Sequence, residues 1–256
     1  MAEQTIALEQ PILSRNERLA TELRDRFART GTYVVNVLSS PGSGKTSTIL
    51  ATNERLAARG LRCAVIEGDI ASDVDAVRMK EAGMPAIQIN TGGLCHLEGN
   101  MIGQAVDAFD DAVGLDAIDV IFIENVGNLV CPVDFDLGEN LSIMILSVPE
   151  GDDKPLKYPG IFQHAGALLL NKVDVAPAFD FDFDAYGSTL DDLNPTAPRF
   201  EVSATRGQGM DAWCDWLAGK IDPARGRLVP WCNAAPLAEA AFRMKRTKMA
   251  VQGHRN

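Results

Sequence analysis

A glycine-rich segment that follows an apolar stretch constrains the fold of this chain most strongly. The run Tyr33 to Leu38 is rich in β-branched residues and predicts a strand. The next residues are Ser39-Ser40-Pro41-Gly42-Ser43-Gly44-Lys45-Thr46, and they open a predicted helix over Lys45 to Gly60. A strand, a glycine-rich turn and a helix in this order are typical of a phosphate-binding P-loop. Ser39 stands where the usual pattern has glycine, but the rest of the pattern is intact.

The residue types in this segment suit a phosphate group. Glycine permits positive φ angles and a close approach of backbone N–H groups, and the helix N-terminus adds partial positive charge. We expect Lys45 to neutralise the β- and γ-phosphates and to contribute to catalysis, and Thr46 to offer its hydroxyl to Mg²⁺. The predicted nucleotide-binding residues of the loop are Ser40, Gly42, Ser43, Gly44, Lys45 and Thr46.

Further apolar stretches alternate with helical ones along the chain. Strands are predicted at Cys63 to Ile66, Val120 to Ile123, Ile143 to Val148, Ala167 to Leu170 and Arg199 to Val202. Short strands that are apolar throughout are buried on both faces. The chain is therefore predicted to be an α/β P-loop NTPase, with a mostly parallel sheet and helices on both faces. Ligands bind beyond the carboxyl ends of the strands in such sheets.

One domain with tails is expected for a chain of 256 residues. An N-terminal extension with a packing helix, Arg15 to Thr30, is predicted within residues 1–31, because Leu19, Leu23 and Phe27 recur at helical spacing. The P-loop domain is predicted over residues 32–221. Residues 222–256 are predicted to be a C-terminal tail with a helix at Leu237 to Met249 that ends basic.

Charge and composition argue against several functions. The net charge of −11 disfavours nucleic-acid binding, which usually needs a basic surface, and favours small cations as partners. No apolar run is long enough to cross a membrane, and Met1 to Gln10 does not resemble a secretion signal. The five cysteines do not suit a disulfide framework, and Cys63 and Cys214 are expected to be small buried apolar residues. We therefore expect a cytoplasmic protein with reduced thiols and no membrane contact.

Acidic residues end two of the predicted strands. Glu124 follows the strand Val120 to Ile123 and precedes Asn125-Val126-Gly127, which resembles the Asp-x-x-Gly element that senses Mg²⁺ and the γ-phosphate. We expect Glu124 to act in catalysis by reaching Mg²⁺ through a water; a simple acid at a strand end is the alternative. Asp69, just after the strand at Cys63 to Ile66, and Asp75 further along are the other magnesium candidates.

A tetrapeptide after the strand Ala167 to Leu170 points to guanine. Asn171-Lys172-Val173-Asp174 matches the Asn-Lys-x-Asp element of GTPases. The Asp174 carboxylate only accepts hydrogen bonds, so it suits the N1–H and 2-amino donors of guanine but not adenine, which has an acceptor at N1. Ser203 and Ala204 resemble the element whose backbone contacts guanine O6, with an ordinary turn as the alternative. The sequence therefore predicts GTP and GDP as ligands.

Two thiols and an imidazole form a third group of candidates. Cys95 and His96 are adjacent in a glycine-rich loop, and Cys131 lies shortly after Glu124. Thiolate and neutral imidazole are ligands of Zn²⁺ and Ni²⁺, so we predict a site for one of these metals. A fourth ligand is expected from water or from a second chain across a two-fold axis. Nucleophilic catalysis is the alternative, but adjacent side chains in an extended loop are expected to point apart, which favours ligation.

These motifs together resemble the HypB family, the hydrogenase nickel-incorporation GTPases of the SIMIBI class, over roughly residues 14–220. The most specific matches are Thr91-Gly92-Gly93-Leu94-Cys95-His96 and Glu124-Asn125-Val126-Gly127-Asn128-Leu129-Val130-Cys131-Pro132. Glu67-Gly68-Asp69 and Glu150-Gly151-Asp152-Asp153-Lys154-Pro155-Leu156-Lys157-Tyr158-Pro159 belong to the same resemblance.

The resemblance implies GTP hydrolysis, a homodimer favoured by GTP, a metal site at the dimer interface, and help in placing nickel into [NiFe]-hydrogenase. The implied partners are a HypA-type nickel chaperone and the hydrogenase large subunit. Lys154 is implied to contact nucleotide across the dimer. Slow intrinsic hydrolysis is expected, because Asn128 stands where signalling GTPases have a water-orienting glutamine.

Three other functions stay open at this point. A urease-accessory GTPase has the same chemistry, but its metal motif is Cys-Pro-His where this chain has Cys95-His96. A GTP-dependent scaffold without metal delivery would purify without bound metal. A small-molecule kinase also uses a P-loop, and Asn171-Lys172-Val173-Asp174 argues against it.

Overall fold

The computed structural model describes residues 9–69 and 74–225. Seven strands form one sheet in the order β3-β2-β4-β1-β5-β6-β7, and every neighbouring pair is parallel. The strands are β1 (Tyr33–Ser39), β2 (Cys63–Asp69), β3 (Ala86–Asn90), β4 (Val120–Glu124), β5 (Leu141–Ser147), β6 (Ala167–Asn171) and β7 (Arg199–Glu201). The predicted α/β fold class is confirmed, and the sheet is parallel throughout.

Helices cover both faces of this sheet. They are α1 (Glu9–Thr30), α2 (Lys45–Ala57), α3 (Val74–Glu81), α4 (Gly99–Val113), α5 (Lys154–Lys157), α6 (Pro159–His164), α7 (Phe183–Leu193) and α8 (Met210–Arg225). Buried side chains of α2, α3 and α8 form the core on one face, and those of α1, α4, α6 and α7 form the core on the other. Residues that alternate along β1 serve the two cores, which explains why its sequence is apolar on both faces.

Three features of the elements differ from the sequence prediction. Helix α1 begins at Glu9 rather than at Arg15, and α2 ends at Ala57 rather than at Gly60, whose φ of 79° leaves the helical region. The edge strand β3 was not predicted. Its residues Ala-Ile-Gln-Ile-Asn are only partly buried, so the segment lacks the continuous apolar run that marks the central strands.

Helix α1 packs on the sheet next to α4 and belongs to its hydrophobic core. Leu23 and Phe27 are buried there, as the helical spacing predicted. The Asn16 side chain accepts a hydrogen bond of 2.7 Å from the Gly99 backbone N–H, the first residue of α4. It also donates a bond of 2.7 Å to the backbone oxygen of Asp136. Helix α1 therefore holds both α4 and the segment before β5.

We expect Gly138→Ala to destabilise the protein by about 2 kcal/mol or more. The φ of Gly138 is 79°, which is strained for alanine, and an added Cβ would lie 2.7 Å from the backbone oxygen of Ala20 in α1. Urea unfolding checks this. Gly103→Ala is the matched control, since nothing lies within 4 Å of its Cβ position inside α4. The control is expected to gain about 0.5–1 kcal/mol. Equal unfolding midpoints for the two variants would contradict the packing of α1 described above.

No helix in residues 9–69 and 74–225 has the length and apolar character needed to span a membrane. The predicted tail helix at Leu237 to Met249 lies outside the described residues. The acidic run after β6 contributes a helix cap: Asp182 accepts hydrogen bonds from the backbone N–H groups of Asp184 and Ala185 at the start of α7.

Candidate functional site

The segment between β1 and α2 has the backbone of a phosphate-binding loop. Gly42 and Gly44 have φ angles of 78° and 98°, which side chains other than glycine rarely adopt. At Gly44 a Cβ would lie 2.5 Å from the Asn171 amide nitrogen, so this position also needs glycine for space. The loop ends where α2 begins, and the helix N-terminus therefore points its free N–H groups into it.

Lys45 is held inside this loop. Its side chain is 9% exposed, and Nζ donates a hydrogen bond of 2.9 Å to the Ser39 hydroxyl. Ser39 thus partners the lysine, which gives a role to the residue that departs from the usual pattern. Within the described part of the chain, the buried Ser43 Oγ has no hydrogen-bond partner. A nucleotide phosphate would satisfy such a hydroxyl, so the loop fits the ligand that its sequence predicts.

The magnesium candidates Thr46 and Glu124 meet at the end of β4. The Thr46 hydroxyl donates a hydrogen bond of 2.9 Å to Glu124 Oε1, and both side chains are buried. Hydroxyl and carboxylate oxygens are the ligands that Mg²⁺ prefers, so the pair fits this ion. Glu67 is also buried and lies beside Glu124 in the register of β2 and β4. The sequence analysis did not select Glu67 as a magnesium ligand, although its position near the end of β2 can be recognised in the sequence.

Asp69 and Asp75 stay predictions. Asp69 is the last residue of β2, opposite Asn90, and therefore belongs to the same carboxyl edge of the sheet. Asp75 lies in α3. The side chains of both residues lie outside the described part of the structure.

The Asn-Lys-x-Asp segment follows β6 and adjoins the P-loop. The Asn171 amide donates a hydrogen bond of 2.9 Å to the Ser43 backbone oxygen and accepts one of 3.2 Å from the Ala204 backbone N–H. Lys172 has a φ of 61°, and its Nζ donates a bond of 2.6 Å to the Gly42 backbone oxygen. Asn171 thus connects the P-loop to the buried Ser203 and its neighbour Ala204, while Asp174 is exposed.

A further contact fastens the P-loop to the segment after β5, and sequence reasoning missed it. The Ser40 hydroxyl donates a hydrogen bond to Glu150 Oε1. The other oxygen of Glu150 accepts bonds of 2.8 and 2.6 Å from the backbone N–H and the hydroxyl of Ser147. Lys154 begins α5 nearby, with Nζ 5.7 Å from the centre of the Tyr158 ring.

The predicted metal ligands lie together. Cys95 Sγ is 3.6 Å from His96 Nδ1, so the expectation that adjacent side chains point apart is wrong. The chain turns at this point through Gly92 and Gly93, which both have positive φ, and is not extended. Cys131 begins a short 3-10 helix, Cys131–Asp134, and its thiol contacts Cys95. The hydrogen bond to Cys131 is the main cause that raises the pKa of the Cys95 thiol, and burial raises it further.

Cys95, His96 and Cys131 stay predicted metal ligands. Among the described residues, no group of three or more His, Cys, Asp and Glu side chains has the arrangement of a metal site. Two large apolar side chains beside the thiols are exposed, Leu94 at 41% and Val130 at 58%. Large apolar side chains that are exposed close to one another are typical of a surface that another chain covers.

The remaining described cysteines are structural. Cys63 and Cys214 are buried as predicted, at 5% and 0% exposure. Burial raises the pKa of the Cys63 thiol, and it raises that of Cys214 to about 11. Both thiols therefore stay neutral and behave as apolar residues near neutral pH.

Comparison with known proteins gives consistent matches. A profile described as the CobW/HypB/UreG nucleotide-binding domain matches residues 33–201, a range that contains the P-loop, the thiols and the Asn-Lys-x-Asp segment. Hydrogenase maturation factor HypB from Azotobacter vinelandii is 49% identical over 212 residues, which cover 83% of this chain and 68% of the relative.

Solved structures agree with these matches. A crystal structure of HypB from Helicobacter pylori in complex with nickel superposes with a TM-score of 0.78 at 37% identity, and the match covers 85% of this chain and 100% of that one. Hydrogenase maturation factor HypB from Archaeoglobus fulgidus has a TM-score of 0.74 at 38% identity, with 81% of this chain and 99% of that one covered.

Proposed function

We propose that this chain is a GTP-hydrolysing metallochaperone, because it belongs to the CobW/HypB/UreG family and is a homologue of hydrogenase maturation factor HypB. It would bind Ni²⁺ or Zn²⁺ at Cys95, His96 and Cys131 and assist nickel insertion into [NiFe]-hydrogenase. Residues 32–221 would form the GTPase domain, with the N-terminal extension and the C-terminal tail on either side.

The observation that carries this proposal is one short segment that joins the two sites. Glu124 contacts Thr46 of the P-loop, and six residues separate Glu124 from Cys131. Between them, the Asn128 amide donates a hydrogen bond of 3.3 Å to the backbone oxygen of Cys95. A change at the γ-phosphate that moves Glu124 would therefore act on the geometry of both thiols. Nucleotide-dependent segments of this kind are the usual switches of GTPases.

The proposed reaction is attack of water on the γ-phosphate of GTP, which yields GDP and phosphate. Lys45 and the backbone N–H groups of the P-loop would stabilise the negative charge of the transferring phosphoryl group. Bound Mg²⁺ would neutralise charge on the phosphate oxygens, with Thr46 and Glu124 holding it. Asp174 would select guanine by accepting its N1–H and 2-amino hydrogen bonds.

We propose a homodimer favoured by GTP, in which a second copy supplies the ligands that one chain lacks. The exposed Leu94 and Val130 flank the thiols and would be covered in this dimer. Lys154 would contact the nucleotide of the opposite copy. The proposed partners are a HypA-type nickel chaperone and the hydrogenase large subunit, in keeping with the hydrogenase maturation factors that this chain resembles.

A GTP-dependent scaffold without metal delivery is the second candidate. It is favoured by the lack of a complete ligand group among the described residues of a single chain. The two candidates differ in whether the protein binds metal stoichiometrically when two copies associate.

The test is a titration of Ni²⁺ into the full chain with a non-hydrolysable GTP analogue, for wild type and Cys95→Ala/Cys131→Ala. We expect saturable binding in wild type and a loss of at least about 100-fold in affinity in the variant, since the variant lacks two of the three proposed ligands. Cys232→Ala is the control, because no predicted site includes that cysteine. Equal nickel binding by wild type and the double variant would remove the metal site and favour the scaffold.

A further inference from the structure

We propose that His96 binds the metal through Nδ1, and that Glu98 and Phe135 hold the imidazole in the orientation that this requires. The inference rests on the proposed metal site at Cys95, His96 and Cys131. It adds two positioning residues, neither of which is itself a ligand, and it identifies the coordinating nitrogen.

The two nitrogens of His96 face different partners. Nδ1 lies 3.6 Å from Cys95 Sγ, on the side of the ring where the thiols meet. Nε2 lies 3.5 Å from Glu98 Oε1, on the opposite side. The two side chains are 13% and 28% exposed, so water has limited access to this pair. A neutral imidazole has one N–H, and the nitrogen without it binds metal.

Glu98 is free to take this role because it does not cap its own helix. It occupies the N-cap position of α4, where serine, threonine, aspartate or asparagine is usual, and its side chain makes no capping hydrogen bond. The Asn16 side chain from α1 accepts the Gly99 N–H instead. The Glu98 carboxylate is therefore available to Nε2, which is buried and makes no hydrogen bond in the described part of the chain. A short rotation would bring their 3.5 Å separation to a hydrogen bond.

A carboxylate beside Nε2 favours the tautomer that carries its proton there. The N–H of Nε2 then points to Glu98, and the lone pair of Nδ1 points to the thiols. Metal-binding histidines commonly donate their second N–H to such a carboxylate, which orients the ring and makes the ligating nitrogen more basic.

Phe135 restrains the same ring from its face. The His96 and Phe135 rings are stacked, with centroids 3.8 Å apart and an interplanar angle of 20°. Phe135 directly follows the short helix Cys131–Asp134. A movement of Cys131 would therefore carry Phe135 with it, so the stacking couples the orientation of His96 to the segment that bears the other thiol.

The test uses Zn²⁺ as a diamagnetic probe and two-bond ¹H–¹⁵N correlation spectra of the histidine side chains. The chain has three histidines, and a His164→Gln/His254→Gln background leaves His96 alone in the spectrum. We expect zinc-bound His96 to carry its proton on Nε2 and to show the coordination shift at Nδ1. Coordination through Nε2 would overturn the inference.

Zinc affinity, measured by competition with a chelator, tests the positioning residues. We expect Glu98→Ala to weaken binding about 10-fold or more, and Glu98→Gln, which keeps an acceptor, to retain most of the affinity. Phe135→Leu should weaken binding about threefold, because it keeps apolar volume but removes the stacking. Asp111→Ala, an exposed change on the same helix, is the control.

Two outcomes separate this inference from the proposed function. If Cys95→Ala/Cys131→Ala binds zinc as wild type does, the metal site itself is wrong and the inference falls with it. If the thiols are required but Glu98→Ala binds zinc as tightly as Asp111→Ala, only the inference is overturned. Thermal unfolding of the metal-free variants gives the check on folding, and we expect it to be unchanged for Glu98→Ala.

Discussion

Replacing Lys45 with alanine is expected to lower the rate of GTP hydrolysis about 100- to 1000-fold, the usual cost of removing one group that stabilises transition-state charge. The structure holds the lysine inside the P-loop, where it is buried and its Nζ donates a hydrogen bond to the Ser39 hydroxyl. Phosphate release at saturating GTP measures the effect directly.

The control for this variant is Lys220→Ala, which removes a lysine that lies over the Trp216 ring in α8. Its hydrolysis rate should match that of wild type. Thermal unfolding of both variants separates loss of chemistry from loss of fold. A Lys45→Ala protein that stays folded and hydrolyses GTP within threefold of wild type would contradict the assigned role of the P-loop.

Asp174→Asn is expected to weaken GTP binding about 100-fold and to improve binding of xanthosine triphosphate to a similar extent, since each mismatched polar pair costs about 1 to 3 kcal/mol. The carboxylate accepts both guanine donors, whereas an asparagine amide would offer a donor to one of them. Xanthine has a carbonyl at C2 in place of the amino group, and the amide complements it.

Equilibrium binding of fluorescent GTP and xanthosine triphosphate analogues checks this exchange of preference. Asp180→Asn is a matched control, because it makes the same chemical change at another exposed position in the following segment. If Asp174→Asn binds both nucleotides as wild type does, the Asn-Lys-x-Asp segment does not read the base in this protein.

The sequence predicted those parts of the site in which a residue type has a single characteristic role. Two glycines followed by a lysine, and an acid at a strand end, indicated the P-loop and selected Glu124 without knowledge of the fold. The structure gives Gly42 and Gly44 positive φ angles and joins Glu124 to Thr46 by a hydrogen bond. The parallel sheet followed from strands that are apolar on both faces. Each of these patterns involves residues that are close together in the chain, so it can be recognised from the sequence.

Contacts between distant segments could not be predicted in the same way. The bond from Ser40 to Glu150 joins residues 110 positions apart, and either residue alone is an ordinary polar side chain. Asn171 stays a predicted nucleotide-binding residue, but its hydrogen bonds to Ser43 and Ala204, which join the loops on either side, could not be predicted. The Cys95-His96 geometry depends on a turn at two glycines, which the assumption of an extended loop excluded.

The proposed metal site could not be predicted in full for a related reason. Sequence spacing shows which residues are available as ligands, but the number that meet depends on how many chains take part. Within the described residues the thiols of Cys95 and Cys131 meet beside one imidazole, and the apolar side chains next to them are exposed. We therefore propose that the association of two copies completes the site.

Metal content per chain and molar mass by light scattering, for wild type with GDP and with a non-hydrolysable GTP analogue, test directly whether nucleotide state controls metal binding. We expect a monomer with weakly held nickel in GDP, and a dimer with tightly held nickel in the analogue. The same mass and the same nickel content in both nucleotide states would contradict the link between the P-loop and the thiols.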